Sequence, residues 1–308
     1  MSLPMSAYLS RGQYVVAIAG STGKIGYLIS KVFLSPSYRP FYSEVRLFVR
    51  DTGSLKAKEL AQLGGTLVKV DMHDHEALNK ALKGVDVVIN ALGGPDHEAK
   101  SKLLDGVLAS NAILYIPSEY GVDHRFNGFE HILWTDKQKH VSRARSEGVN
   151  LKVIAIYVGF FLETAFSPAY GVDKENKRYN IIGSKDTRTT YTAMEDIARA
   201  VVQITTMALN SPSSIPDDIR IAGTTVSWEE INRFMHRESG EEMQIVSLDE
   251  PQSFREKTIQ KEGTNGNARE LLMSEGKIDF SVDNQNELIN PGEKLWDWTT
   301  MEQYAKNV

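Results

Sequence analysis

The chain has 308 residues, of which 41% are apolar and 24% charged, and it carries a net charge of −5. These values exclude a disordered or fibrous chain and a nucleic-acid binder that relies on a broad basic field, and the lack of any cysteine excludes disulfide scaffolds, thiolate metal sites and cysteine nucleophiles. The longest apolar stretch, Val153 to Leu162, is about ten residues, too short to span a bilayer; Met1 to Gly12 shows no basic segment leading into a long apolar one, so no secretory leader is expected and a cytoplasmic setting is.

Tyr14–Ala19 is apolar and rich in β-branched residues, a strand. Ile25, Leu28, Ile29, Val32 and Phe33 share one helical face, and the prolines within Ser35–Pro40 end that helix. The pair then repeats. Val45–Val49 reads as a strand, Leu55–Leu63 as a helix closed by Gly64 and Gly65, and Thr66–Val70 as a strand. Asp74 caps a helix running to Leu82, and Val85–Ala91 is a buried strand. A helix around Lys100–Ser110, a strand at Ile113–Ile116, a helix near Thr135–Glu147 and a strand at Val153–Tyr157 follow. This alternation implies an α/β fold, a Rossmann-like doubly wound parallel sheet with helices on both faces. Beyond Gly159 the regularity fades. Tyr170–Thr190 is polar and turn-rich, Thr192–Met207 is helical, Ser211–Asp218 is a loop, and Trp228–Glu238 and Pro251–Gly276 read as amphipathic helices. The expected division is a nucleotide-binding domain over residues 1–157 and a smaller C-terminal substrate-binding lobe over 158–308, with part of 186–206 packing back on the first.

Between the first strand and the first helix stands G-x-x-G-x-x-G, with Gly20, Gly23 and Gly26. The first glycine permits the tight turn, the second a close backbone approach to a pyrophosphate, and the third close packing of helix on strand, while the helix N-terminus offers free N–H groups. Thr22, Lys24 and Ile25 complete this candidate cofactor turn. The second strand ends in Arg50, 24 residues past Gly26. A guanidinium there can stack on adenine and pair with a 2′-phosphate, and Lys56 and Lys58 lie close by, which favours NADP. The adjacent Asp51 would instead suit the ribose of NAD.

Together with the glycine motif, Phe48-Val49-Arg50, the run Ala81–Ala91 and Ile116-Pro117-Ser118-Glu119-Tyr120-Gly121 resemble the NmrA-like, isoflavone-reductase-like family of atypical short-chain dehydrogenases. Met194–Ala198 and Trp298–Tyr304 extend the resemblance over nearly the whole chain. It implies NADPH as cofactor and a catalytic lysine on the helix after the P-S-E-Y-G strand, a place that Lys137 holds. An ammonium beside a developing oxyanion stabilises it, and partial desolvation brings a lysine towards useful acid–base values. The Tyr-x-x-x-Lys dyad of ordinary short-chain dehydrogenases is absent, since Leu133 and Trp134 stand four and three residues before Lys137. The resemblance further places Asp71 and Met72 at the adenine edge, and it assigns cofactor contacts to Ala91, Leu92 and Gly93, and to Pro117, Ser118 and Glu119. Tyr157, Gly159 and Phe160 are expected beside the nicotinamide, and Tyr120, Phe160, Phe161, Phe166 and Tyr170 at a substrate pocket, with ordinary core packing as the alternative for these rings. The Gly159-Phe160-Phe161 segment is similar to fungal members more than to plant reductases.

Asp71, His73, Asp74, His75 and Glu76 look like metal ligands, but Asp74 is more simply a helix cap, so no metal is expected. Ser118 has no G-x-S-x-G elbow around it. His124, His131 and His140 flank the candidate site, and the sequence does not choose among them. The expected function is an NADPH-dependent reductase of a small aromatic or conjugated metabolite, acting as a monomer or homodimer without nucleic-acid or membrane partners. An NADP(H)-sensing regulator without turnover is the alternative; an isomerase or cyclase reusing the fold comes third.

Overall fold

Apolar runs with β-branched residues give six strands: β1 (Tyr14–Ala19), β2 (Tyr42–Val49), β3 (Thr66–Lys69), β4 (Val87–Asn90), β5 (Leu114–Ile116) and β6 (Lys152–Val153). They pair in parallel in the order β3-β2-β1-β4-β5-β6. The strand order reverses between β1 and β4, the switch point at which open parallel sheets bind ligands beyond the strand carboxyl ends. The connecting helices are α1 (Lys24–Phe33), α2 (Leu55–Gln62), α3 (His75–Leu82), α4 (His97–Ala109) and α5 (Ile132–Glu147). Ile25, Ile29 and Phe33 are the buried stripe of α1, as their spacing requires. Ser54, Asp74 and Asp96 cap α2, α3 and α4 by accepting from the third backbone N–H of each helix.

The structure, a computed structural model, describes residues 12–240, 243–260 and 265–306. Residues 1–11, on which the expectation of a leaderless N-terminus rests, lie outside the described residues. The chain clusters into two compact units. One comprises residues up to Glu119, Asp136–Ile156 and Ile197–Ile219; the other comprises Tyr120–Thr135, Tyr157–Asp196 and residues from Arg220 onward. A single cut at residue 157 therefore does not divide this chain. In the first unit, Phe48, Leu78, Leu103, Val107, Tyr115 and Val153 belong to one buried apolar cluster. The expected strand Val153–Tyr157 divides between two sheets, because successive amide groups of a strand face opposite edges. Ile154 N–H reaches Tyr115 O, whereas Ala155 N–H reaches Asp217 O. The second stretch is β7 (Ala155–Tyr157).

The second unit is built on two small sheets. β8 (Phe160–Phe161), β9 (Val172–Asp173), β10 (Arg178–Ile182) and β11 (Arg188–Thr192) lie in the segment expected to be irregular. β11 was hidden in the sequence because its buried side chains include Thr189, Thr190 and Thr192, polar residues of high strand propensity. Two of these hydroxyls are paired, Thr190 Oγ1 with Thr225 Oγ1 at 2.8 Å and Thr192 Oγ1 with Val158 O at 2.8 Å. α6 (Met194–Asn210) and β12 (Asp218–Arg220) precede β13 (Thr224–Ser227), which pairs with β11, and α7 (Trp228–Ser239), opened by a Ser227–Glu230 capping box. β14 (Gln244–Asp249) pairs with β10. The single helix expected over Pro251–Gly276 is two, α8 (Pro251–Gln260) and α9 (Asn265–Ser274), with residues 261–264 outside the described set. α10 (Asn286–Ile289) and α11 (Met301–Ala305) end the chain. Among the described residues no helix is long and apolar enough to cross a membrane.

Candidate active site

The glycine turn leaves β1 at the switch point, and its geometry admits only glycine. Gly20 has φ +79°, and a Cβ there would lie 2.6 Å from Ala91 O, which follows β4. A Cβ at Gly26 would lie 2.1 Å from Gly20 O. Gly23 N–H donates to Gly20 O at 2.9 Å, and the buried Ser21 hydroxyl donates to Phe48 O at 2.9 Å. Gly23 is also the N-cap of α1, which has no side-chain cap, unlike α2, α3 and α4, and no acidic residue in its first turn, unlike α3 and α4. The first-turn N–H groups of α1 therefore have no acceptor within the helix, and the helix dipole favours an anion there. This arrangement fits the pyrophosphate of a dinucleotide. Ile25 is buried, so it offers only its backbone N–H, while Thr22 is half-buried and Lys24 exposed.

Arg50 is exposed at the end of β2 and makes no hydrogen bond or ion pair among the described residues. Lys56 Nζ lies 3.5 Å from Thr22 O and 4.9 Å from the centre of the Tyr27 ring, so the glycine turn and α2 converge on that ammonium. Asp51 Oδ1 is engaged locally, accepting from Gly53 N–H at 2.8 Å. Asp71 likewise accepts from His73 N–H at 2.9 Å, and Met72 is buried. His73 pairs with Asp96 at 3.1 Å while Asp74 caps α3, and among the described residues no three His, Asp or Glu side chains converge as a metal site.

At the ends of β4 and β5, the Ser118 hydroxyl donates to Leu92 O at 2.9 Å, tying the Ala91–Gly93 loop to the Pro117–Glu119 loop. Lys137 Nζ donates to Glu119 O at 2.6 Å and lies 3.6 Å from Glu119 Oε2. The Glu119 carboxylate is 2% exposed and the Lys137 side chain 31%, so a buried anion holds a lysine that still reaches solvent. Lys100, on α4, donates to Gly94 O at 2.7 Å; burial first and then the Lys137 ammonium hold it below its ordinary range, against the pull of Glu119 and Asp96. Sequence reasoning did not find Lys100, because nothing in a helix pattern relates it to residues 19 and 37 positions away. Nor did it find that Glu119 serves Lys137 as counter-ion. Asn90, Tyr115 and His140 lie in the same unit, hydrogen-bonded in series. The signal for Asn90 was available: a polar residue closing a buried apolar strand needs a partner.

The remaining sequence-expected residues fall in the second unit. Tyr120 is buried with φ +31°, and Gly159, φ +71°, would place a Cβ 2.3 Å from Thr190 O, so backbone packing on β11 already demands glycine there. Phe160, Phe166 and Tyr170 belong to this unit's apolar core rather than to an open aromatic wall. Phe160 lies 4.8 Å from Tyr170 and 6.1 Å from Tyr191 between ring centres, and Phe166 stacks on Tyr304 at 6.0 Å. Only Phe161 is half-buried. A cavity of about 10 Å³ beside Tyr170, Asn180, Trp228 and Glu270 has room for one water. Tyr157 is buried against His124, ring centres 5.6 Å apart, and beneath Arg125 at 4.9 Å. His131 packs on Trp134 at 4.7 Å.

A family model for the NmrA-like family matches residues 13–305. The isoflavone reductase homolog P3 of Arabidopsis thaliana is 26% identical over 257 residues, covering 80% of this chain and 81% of that protein. Eugenol synthase 1 of Petunia hybrida is 25% identical over 250 residues, 78% and 80% of the two chains. Phenylcoumaran benzylic ether reductase Pyrc5 of Pyrus communis is 26% identical over 247 residues, 77% and 78%. These relatives are plant proteins and lend no support to the expected closeness to fungal members. The fold is shared with AtPrR2 solved with NADP+ and (+)pinoresinol, at TM-score 0.75 and 17% identity over 97% of this chain and 99% of that one. It is shared also with the leucoanthocyanidin reductase–NADPH complex from Vitis vinifera, at TM-score 0.75 and 15% identity over 95% and 98%.

Proposed function

From the premise that this chain belongs to the NmrA-like family, we propose that it is an NADPH-dependent reductase of a small aromatic or conjugated metabolite, with Lys137 as its catalytic residue. The observation that carries this is the placement of Lys137, half-exposed and held by the buried Glu119 at the carboxyl end of β5, in the same unit as the glycine turn. The relatives support the substrate class: they are named as reductases and synthases of phenolic compounds, and the neighbouring structures hold NADP+ or NADPH.

Gly20, Gly23 and Gly26 would cradle the pyrophosphate on the α1 N-terminus, with Thr22, Lys24 and Ile25 contributing backbone. Arg50 and Lys56 would take the 2′-phosphate, Asp71 and Met72 the adenine edge, and Ala91–Gly93 with Pro117–Glu119 the nicotinamide side. NADPH, when bound, supplies the hydride. The Lys137 ammonium stabilises negative charge developing on a substrate oxygen and gives that oxygen a proton, while Glu119 fixes its position.

The alternative of an NADP(H)-sensing regulator is favoured by one observation, that Phe160, Phe166 and Tyr170 are spent on core packing. Consumption of NADPH with a panel of phenolic, enone and aldehyde compounds decides between the two. Turnover that Lys137→Ala reduces by about a hundredfold or more, with NADPH affinity kept within several-fold, is the expected result; full rate in the variant removes Lys137 from the mechanism. Tight NADPH binding without turnover on every compound favours the regulator.

A further inference from the structure

Three polar side chains from three segments lie end to end behind Lys137. Asn90 closes β4, Tyr115 is in β5, both fully buried, and His140 stands on α5 three residues beyond Lys137. The direction of every hydrogen bond follows from the first. Leu92 N–H donates to Asn90 Oδ1 at 3.1 Å, so the amide nitrogen must face the other way. Asn90 Nδ2 donates to the Tyr115 hydroxyl oxygen at 3.0 Å. The hydroxyl proton is then directed to His140 Nε2 at 2.8 Å, which accepts it with a lone pair. The imidazole proton therefore belongs on Nδ1.

The series closes on the lysine. Residues 137 and 140 are neighbours on one helix face; Lys137 Nζ bonds Glu119, and Ser118 returns to Leu92 O, the residue whose N–H starts the series. An apolar residue at 140 would strand the Tyr115 proton inside the protein, and phenylalanine at 115 would strand both the Asn90 amide and His140 Nε2.

We propose that Tyr115 and His140 are positioning residues for Lys137, forming with Asn90 a directional relay that locks α5 against the loops after β4 and β5. They act through other residues and need touch neither substrate nor cofactor. The proposal rests on Lys137 as the catalytic group. The groups facing His140 are Tyr115, the Glu119 and Asp105 carboxylates, and the Lys100 and Arg143 cations; burial outweighs the carboxylates and pushes the imidazole down to about 4.

The test begins with the wild-type protein and nitrogen-15 NMR of His140. The expected result is a neutral ring protonated on Nδ1 down to about pH 5; an Nε2–H tautomer, or titration at the ordinary histidine value, overturns the relay. Tyr115→Phe and His140→Leu should each lower kcat by about tenfold or more while KM for NADPH moves less than about threefold. His140→Gln, whose amide oxygen can take the hydroxyl proton, should restore kcat to within about threefold of wild type. Unchanged kcat in both variants, or equal loss with Gln and Leu, overturns positioning. If the wild-type protein turns over no compound, the reductase reading fails separately. The relay is then decided by amide exchange along α5, which should quicken about tenfold or more at Lys137 in Tyr115→Phe; unchanged exchange overturns it.

Discussion

Gly26→Ala is the perturbation whose consequence the structure fixes most tightly. The added methyl would lie 2.1 Å from Gly20 O and 3.1 Å from the Ala91 Cβ, so about 1.3 Å of separation must be found before ordinary contact is reached. Neither side can give it cheaply. Gly20 is itself held at φ +79° with its Cβ direction 2.6 Å from Ala91 O, and its carbonyl already accepts from Gly23 N–H at 2.9 Å. Ala91 is pinned in turn by its N–H on Ala19 O at 2.9 Å. Overpacking of this kind costs about 1–3 kcal/mol, and the rigid backbone on both sides argues for the upper end. For a chain of this length about 3 kcal/mol corresponds to a fall in Tm of roughly 5 °C. If the turn opens to relieve the clash, the N–H groups of α1 no longer converge, and the same energy lost from NADPH binding is about a hundredfold in Kd. Thermal unfolding and a fluorescence titration with NADPH measure the two effects. A Kd within about threefold of wild type together with an unchanged Tm would refute the packing argument.

Arg50→Ala combined with Lys56→Ala should weaken NADPH about tenfold or more and leave NADH nearly unaffected, measured by the same titration; a wild-type protein that binds both dinucleotides equally contradicts the assignment of these cations. Asp123 is 1% exposed and accepts from Arg125 at 2.7 and 2.8 Å and from Arg220 at 2.7 Å; although burial raises it, the two guanidinium groups hold its carboxyl below the ordinary range. Asp123→Asn should therefore cost about 3 kcal/mol in urea unfolding, and a loss under about 1 kcal/mol would show that the pair is solvated. His140 is charged less readily in the folded chain, about 4 against an ordinary 6.5. The unfolded state then binds more protons between those values, so this residue's contribution to stability falls as pH drops through that window and levels off below it. Wild type should lose up to about 3 kcal/mol more than His140→Gln between pH 6.5 and pH 4; parallel curves refute it.

What could be read from the sequence was what is local. Gly20 and Gly26 are legible because a turn between a strand and a helix states its own backbone demand, and Arg50 because the strand before it fixes where its Cα stands. The cap Asp74 announces a helix start for the same reason. Tyr115 is illegible: within an apolar strand a tyrosine reads as core, and only the fold shows that its hydroxyl faces Asn90 and His140, each 25 residues away. The rings of Phe160, Phe166 and Tyr170 have the same spacing whether they pack on one another or on a ligand, so periodicity could not separate core from pocket. β11 escaped because Thr190 and Thr192 earn burial through paired hydroxyls that no hydropathy pattern reveals.

The charges around Glu119 bear on which function the first unit suits. Its buried carboxylate acts on two ammonium groups, Lys137 at 3.6 Å and Lys100, whose own pKa is lowered by burial and then by Lys137. His140 nearby is neutral, because burial outweighs the same carboxylate. Two ammonium groups thus share the one buried carboxylate beyond the carboxyl ends of β4 and β5, with Asp96 also acting on Lys100. Desolvating Lys100 beside a like charge is unfavourable. An oxygen gaining negative charge as a neighbouring carbon is reduced would find there the cation it needs, already oriented and with little reorganisation left to make. On the proposed role of Lys137, the unfavourable placement of Lys100 would be the counterpart of a favourable one for a transition state.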